Sequence, residues 1–349
     1  ATNAILTCKN RETRYTIFKN LLIKDGINGG MSIGYYSDPT LENCVFKNNT
    51  LIGDWDGDKE GGGMYNYGGD PTLTGCTFEN NTADDGGGMY NAGGSPTLTD
   101  CKFIGNIATN FGGGMCSELG GTPTLTDCIF TSNSAESGGG MHNSTYSSSS
   151  SLFTMTGCTF TSNTAVTAGG GTYIAGTSPM LTDCIFTGNS VNDGDGGGMY
   201  NKNNRPTLND CTFENNTANN DGGGMYNKNS DLDLTDCEFN YNATTYHGGG
   251  MYNDSSSEPS FRSSTFCGNT PGHIYPLNGD LYNGTCICGS EVDTDGDDII
   301  DCEDECPDFV GPCEASGNYY QTVNHEIVEI SSAAELTYQL LNINNFSDN

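Results

Sequence analysis

Hydrophobic positions along this chain recur in a unit of about 26 residues, not at a helical period. The unit reads Gly-Gly-Gly-Met-Tyr-Asn, a short polar loop, Pro-Thr-Leu-Thr-x-Cys-x-Phe-x-x-Asn-Thr-Ala, and then the next triple glycine. Its phenylalanines stand at Phe46, Phe78, Phe103, Phe130, Phe160, Phe186, Phe213, Phe239 and Phe266, separated by 32, 25, 27, 30, 26, 27, 26 and 27 residues. An asparagine follows each of them three residues later, from Asn49 to Asn269. A cysteine precedes each of the first eight by two: Cys44, Cys76, Cys101, Cys128, Cys158, Cys184, Cys211 and Cys237. Ser264 takes that place in the ninth unit, and Leu21–Ile23 with Gly29–Met31 reads as an earlier, degenerate turn.

Triple glycines, β-branched residues and a proline in most units exclude helices of this period. The Leu-Thr and Cys-x-Phe segments show the short alternation of strands. Leu73 and Cys76 are three apart, so a bend at Thr74-Gly75 must return both to the inside. These features predict an all-β, single-stranded right-handed parallel β-helix of about ten coils, each with two or three short strands. At ~4.8 Å per coil the rod is roughly 45–50 Å long. Phe, Leu and Cys are expected inside, with asparagines hydrogen-bonded up one corner and glycines at positive φ in the tight bend. The β-helix is expected over residues 1–272, a cysteine-containing cap or linker over 273–289, an acidic segment over 290–313 and a tail over 314–349.

The Gly-Gly-Gly-Met and Phe-x-x-Asn elements resemble the paired repeats of chlamydial polymorphic outer-membrane proteins and related bacterial surface β-helices, over about Ile17 to Asn269. The resemblance implies a secreted or surface-displayed, adhesin-like passenger and names no ligand. The 80 residues after Asn269 are short of a membrane barrel, and no apolar run nears the ~20 residues of a membrane helix, so no membrane insertion is expected.

If Met of the repeat faces inward, the tyrosine after it faces outward. Tyr65, Tyr90, Tyr200, Tyr226 and Tyr252, with Tyr173, then form a surface stripe interrupted by Cys116 and His142. Such a stripe either binds a glycan or a neighbouring rod, or stacks upon itself. Thr72/Thr74, Thr97/Thr99, Thr124/Thr126 and Thr154/Thr156 form a second array, similar to the flat faces of ice-binding solenoids. Two insertions break the rhythm. One carries Asp54, Asp56 and Asp58, spaced to chelate calcium or simply to be solvated; the other, Ser144 to Leu152, is serine-rich and reads as a flexible or glycosylated loop. Asn-x-Ser/Thr sequences occur at Asn48, Asn80, Asn143, Asn215, Asn242, Asn253, Asn283 and Asn345.

Composition narrows the function classes. The 349 residues hold 44 Asp+Glu against 12 Lys+Arg, a formal charge of −32, which argues against nucleic acid and anionic membranes as partners. A hydrophobic fraction of 34% with such charge would suggest disorder, but 16 cysteines, 15 Phe and 18 Tyr argue for order. Cysteine richness with few lysines favours a secreted or cell-surface setting. The ladder cysteines have Cβ atoms near the coil spacing, wider than a disulfide prefers, so they are expected as structural buried thiols. Cys267, Cys286, Cys288, Cys302, Cys306 and Cys313 instead read as about three disulfides.

Between Asp293 and Pro307, carboxylates at Asp293, Asp295, Asp297, Asp301 and Asp304, with the Ile299 carbonyl, have the spacing of a loop wrapped around calcium. The Asp-Cys-x-Asp-x-Cys-Pro ending resembles a thrombospondin type 3 repeat, which implies a disulfide-braced calcium module. The histidines are scattered and no nucleophile or phosphate-loop motif appears, so no catalytic role is expected. Residues 318–330 read as a strand and Ser332–Glu335 as a capping box opening a short helix. Open β-helix ends invite head-to-tail self-association through that tail. The expectation is therefore a secreted, calcium-stabilised structural or adhesive rod that polymerises end to end. A glycan-binding or polysaccharide-processing β-helix is the alternative, and ice binding a minor one.

Overall fold

The computed structural model describes residues 4–51, 59–145 and 153–276, and the backbone alone of the strands Asp280–Leu281, Cys286–Cys288, Tyr319–Val323 and Glu326–Ile330. Each repeat unit makes one coil of a parallel β-solenoid, and like residues pair with like. Phe78 lies between Phe46 and Phe103, Leu98 between Leu73 and Leu125, and Met89 between Met64 and Met115. Three sheets have 11 strands and a fourth has 8. We name them by their inward residue: the Met face (Met89–Ala92 and its equivalents), the Leu face (Thr97–Thr99), the Phe face (Lys102–Ile104) and the Ala face (Ile107–Phe111). Full coils thus carry four strands where two or three were expected, because the segment beyond each Phe-x-x-Asn corner is extended enough to pair. The strands Ile274–Tyr275, Asp280–Leu281 and Cys286–Cys288 add a further coil to the three long sheets.

Corners are set by residues that tolerate the left-handed region. Between the Leu and Phe faces sit Asn43, Gly75, Asp100, Asp127, Gly157, Asp183, Asp210 and Asp236, with φ between 51° and 62°. Asn and Asp are enriched there because a short polar side chain hydrogen-bonds locally. The triple glycine divides two tasks. Gly112 has φ +62°, whereas a Cβ on Gly114 would lie 2.6 Å from the Gly140 carbonyl oxygen and 2.8 Å from the Phe130 ring. The first glycine turns the chain; the others let consecutive coils close.

Inside, the Phe rings stack with centroids 4.6–4.9 Å apart and planes within 1–7°. The ladder cysteines from Cys44 to Cys237 are buried free thiols. Cys128 Sγ, for example, donates to the Thr126 and Leu98 carbonyls at 3.4 and 3.6 Å.

The Phe-x-x-Asn asparagines form a saturated amide column. Asn106 Nδ2 donates to the Phe78 carbonyl at 2.9 Å and to Asn133 Oδ1 at 3.0 Å, while Asn133 Oδ1 also accepts the Asn106 backbone N–H at 2.9 Å. The Nδ2-to-Oδ1 link repeats from Asn49 to Asn269. The asparagines of Met-Tyr-Asn make a second, broken column. Asn66 donates to Asn91, Asn91 to Ser117, Asn201 to Asn227 and Asn227 to Asn253. Ile33 and Ile174 replace asparagine in it, and the amide atoms beside them, Asn66 Oδ1, Asn143 Nδ2 and Asn201 Oδ1, are buried without a hydrogen-bond partner.

The predicted tail strand is two strands, Tyr319–Val323 and Glu326–Ile330, paired antiparallel as a hairpin. Residues of the expected capping box lie outside the described residues.

The contrast between the two columns gives an expected order of stability. Asn133→Leu orphans several buried groups and should cost about 3–5 kcal/mol at ~1–3 kcal/mol per group. Asn201→Leu, whose Oδ1 already lacks a partner, should cost less than half as much. Urea midpoints should therefore fall in the order wild type, Asn201→Leu, Asn133→Leu, and equal midpoints for the two variants would contradict the ladder account.

Candidate binding groove on the tyrosine face

On the outer side of the Met face, one column runs Ser32, Tyr65, Tyr90, Cys116, His142, Tyr173, Tyr200, Tyr226, Tyr252 and Tyr275. The methionines beside them are buried, so the inward–outward alternation holds. An exposed stripe does not. Tyr90 is 3% and Tyr200 8% exposed, and Tyr65, Tyr173, Tyr226 and Tyr252 are half-buried. The reason is the coil spacing: centroids 4.8–5.1 Å apart from Tyr173 through Tyr252 place each ring face against the next, leaving mainly edges to solvent. The column largely stacks upon itself.

Where the column is interrupted, the surface opens. Cys116 is too small to fill its place, and Phe111 swings in from the Ala face to pack, tilted by 31°, on His142 at 4.6 Å. His142 in turn stacks on Tyr173 at 4.5 Å and 7°. An imidazole is shorter than a phenol, so the outer part of the Tyr173 ring extends past it.

The flanking columns shrink at the same level. Ser137 and Ala168 stand where other coils have Asp85, Asp195 and Asp221, and Ser144 and Ala175 stand where others have Glu118, Lys202 and Lys228. The result is an open groove of about 420 Å³, within the range of small-ligand sites. Phe111, His142 and Tyr173 supply its aromatic wall, and Glu118 and Lys202 mark its two ends. Those two residues belong to one column three coils apart, roughly 14 Å at ~4.8 Å per step. A second hollow of about 210 Å³ lies where Ser32 occupies the tyrosine position, lined by Lys9, Glu60 and Tyr65.

Burial sets the charge states here. His142 is held down at about 3, so its ring is neutral at physiological pH, with Nδ1 3.5 Å from Ser137 Oγ. Burial pushes the Cys116 thiol well up, and the charges of Glu118, Asp85 and Glu60 push the same way. Tyr65 is raised to about 12 by burial and then by Glu60. Glu118 accepts from Tyr90 Oη at 3.0 Å and from Ser144 Oγ at 3.2 Å. Lys202 is half-buried and forms no ion pair among the described residues.

The other candidates distribute differently. Thr72/Thr74 through Thr154/Thr156 pair in register, but the next coil places Met180 in the array. Asn143, Asn242 and Asn253 are buried with their amides inside the coil stack, which removes them as glycosylation sites. Asp54, Asp56 and Asp58, and the proposed calcium ligands Asp293, Asp295, Asp297, Ile299, Asp301 and Asp304, lie outside the described residues. The interruptions at Cys116 and His142 are legible in the sequence; the groove is not. Its signal was the simultaneous change to Ser and Ala in neighbouring columns, visible only once the register aligns them.

Asp85 flanks the same tyrosine column and carries a pH signature. Burial, reinforced by the nearby Glu118 and Asp84 charges, raises its carboxyl from 3.8 to about 6, although its oxygen accepts the Phe111 N–H at 3.0 Å. The folded chain therefore binds the proton more tightly than the unfolded one. Stability is greatest below pH ~4 for this group and is lost as pH rises from ~4 to ~6. Asp85→Asn keeps the acceptor and removes the charge. It should stabilise by about 1–2 kcal/mol at pH 7, after allowance for partial exposure, and by little at pH 4. Thermal melts at the two pH values check this.

Comparison with known proteins agrees with the architecture. The family described as right-handed beta helix region matches residues 5–178 and 139–299. No curated protein matches the sequence. Among solved structures, tailspike protein 3 of bacteriophage CBA120 aligns over 96% of this chain at 13% identity and a TM-score of 0.38, and the chain spans 61% of the tailspike chain's length. With most of its length matched by the family description and its coils stacked in parallel register, the chain belongs to the right-handed β-helix family.

Proposed function

We propose that this chain is a carbohydrate-binding β-helix that holds an oligosaccharide in the groove at His142 and Tyr173. The supporting observation is the groove itself: a wall of Phe111, His142 and Tyr173, beside hydroxyl and amide groups, on an otherwise regular rod. A pyranose ring has one C–H face that packs on an aromatic ring and a rim of hydroxyls that needs donors and acceptors. Ser144, Thr145, Thr167 and Asn203 supply those polar partners.

Binding is favoured over hydrolysis. Glu118 is the one carboxylate among the described residues lining the groove, whereas two-carboxylate hydrolysis needs a pair ~5–9.5 Å apart. The resemblance of the repeats to surface-displayed β-helices supports action outside the cell or at its surface. Calcium binding by Asp293, Asp295, Asp297, Asp301 and Asp304 belongs to the same proposal, on the spacing of those carboxylates.

An immobilised glycan array probed with the full chain tests the binding site. Wild type should retain a defined subset of glycans, and Tyr173→Ala should weaken the best of them on the order of 10-fold, ~1.4 kcal/mol, with an unchanged circular dichroism spectrum. Absence of any retained glycan, or unchanged affinity in Tyr173→Ala, would overturn the assignment.

A further inference from the structure

The groove is asymmetric in charge, and the chain around it makes that asymmetry selective. Only 12 of 349 residues are Lys or Arg, and none lies between Lys102 and Lys202. Among the described residues lining the groove, Lys202 is the one Lys or Arg. Four of the other Lys and Arg residues pair with acids: Lys19 with Glu42, Lys24 with Asp25, Lys47 with Glu79 and Arg205 with Asp231. Among the described residues Lys202 has no such partner, although it belongs to an acidic chain and is half-buried at a cavity rim. Lys228 continues its column one coil further on.

At the other end Glu118 faces the groove with its two oxygens each accepting one hydrogen bond. A carboxylate has about four lone-pair sites, so acceptor capacity remains. A ligand lying along the groove meets the Lys202 ammonium at one end and a hydroxyl-seeking, anion-repelling carboxylate roughly 14 Å away, three steps of ~4.8 Å.

We infer that the groove selects an oligosaccharide with one carboxylate-bearing sugar, seated at Lys202, whose neutral sugars run over Tyr173 and His142 toward Glu118. This rests on the carbohydrate reading above and adds the class and direction of the ligand. A polyuronate is disfavoured twice, because its further carboxylates meet Glu118 and the −32 charge of the whole chain. A neutral oligosaccharide leaves the Lys202 ammonium without an ionic partner.

Isothermal titration of the full chain with three probes reads the selection. The probes are a sialylated trisaccharide with one carboxylate, its methyl ester, and a trigalacturonate. The single-carboxylate probe should bind at least about tenfold more tightly than its ester, ~1.4 kcal/mol, and should weaken as NaCl is raised. Lys202→Gln should abolish the preference over the ester, and Lys202→Arg should keep it. Glu118→Gln should narrow the gap between the single-carboxylate probe and trigalacturonate. Equal affinity for acid and ester, or a preference untouched by Lys202→Gln, overturns the inference while leaving carbohydrate binding in place. No binding of these probes, with no glycan retained on the array, overturns both.

Discussion

One hydrogen-bonding unit underlies the rod: a buried asparagine amide whose donors and acceptor are all used along the stacking direction. Between the ends of the column each Oδ1 takes two bonds from the coil before, and each Nδ2 gives one bond to a Phe carbonyl and one to the next amide. Nothing is left over for water. A buried amide is expensive when partly satisfied and cheap when fully satisfied, so a coil out of register by one residue would orphan several groups at once. The column therefore fixes register, and register in turn fixes which side chains of different coils become neighbours. The Phe stack and the thiol column follow from the same alignment.

Uniform columns make a regular rod with little surface relief. Relief arises where a column changes residue, because its neighbours continue at the same spacing. Cys116 and His142 remove two phenols from an otherwise stacked aromatic row, and Ser137, Ser144, Ala168 and Ala175 withdraw the flanking side chains at the same level. Ser32 produces a smaller hollow in the same way. The second asparagine column is interrupted by Ile174 on the strand that also carries Tyr173 and Ala175. Departures from the repeat thus cluster at two levels, Ser32 with Ile33 and the coils from Cys116 to Ala175, and a hollow lies at each.

Much of the architecture is legible in the linear pattern. The spacing of Phe, Cys and Asn identifies the coil, its inward residues and one hydrogen-bonded corner, since a solenoid repeats its contacts in every unit. The number of strands is less legible. Thr82–Asp85 has no apolar alternation to mark it, yet it pairs because the corners before and after it hold the backbone extended. The tyrosine row shows a different limit. Alternation correctly places Tyr outside and Met inside, but alternation says nothing of what stands against the outer face. Rings on adjacent strands of a parallel sheet are held closer than 6 Å, so they bury one another.

The repeat by itself determines that this chain forms a parallel β-helix and where its core lies. Those properties depend on residues within one unit and on the unit's recurrence. Only the tertiary structure decides the groove, the burial of Tyr90 and Tyr200, and the position of Lys202 opposite Glu118. Lys202 and Glu118 lie 84 positions apart along the chain and belong to different coils. Their alignment depends on the number of residues each intervening corner and insertion absorbs without shifting register, and that is settled by stacking rather than by spacing along the chain.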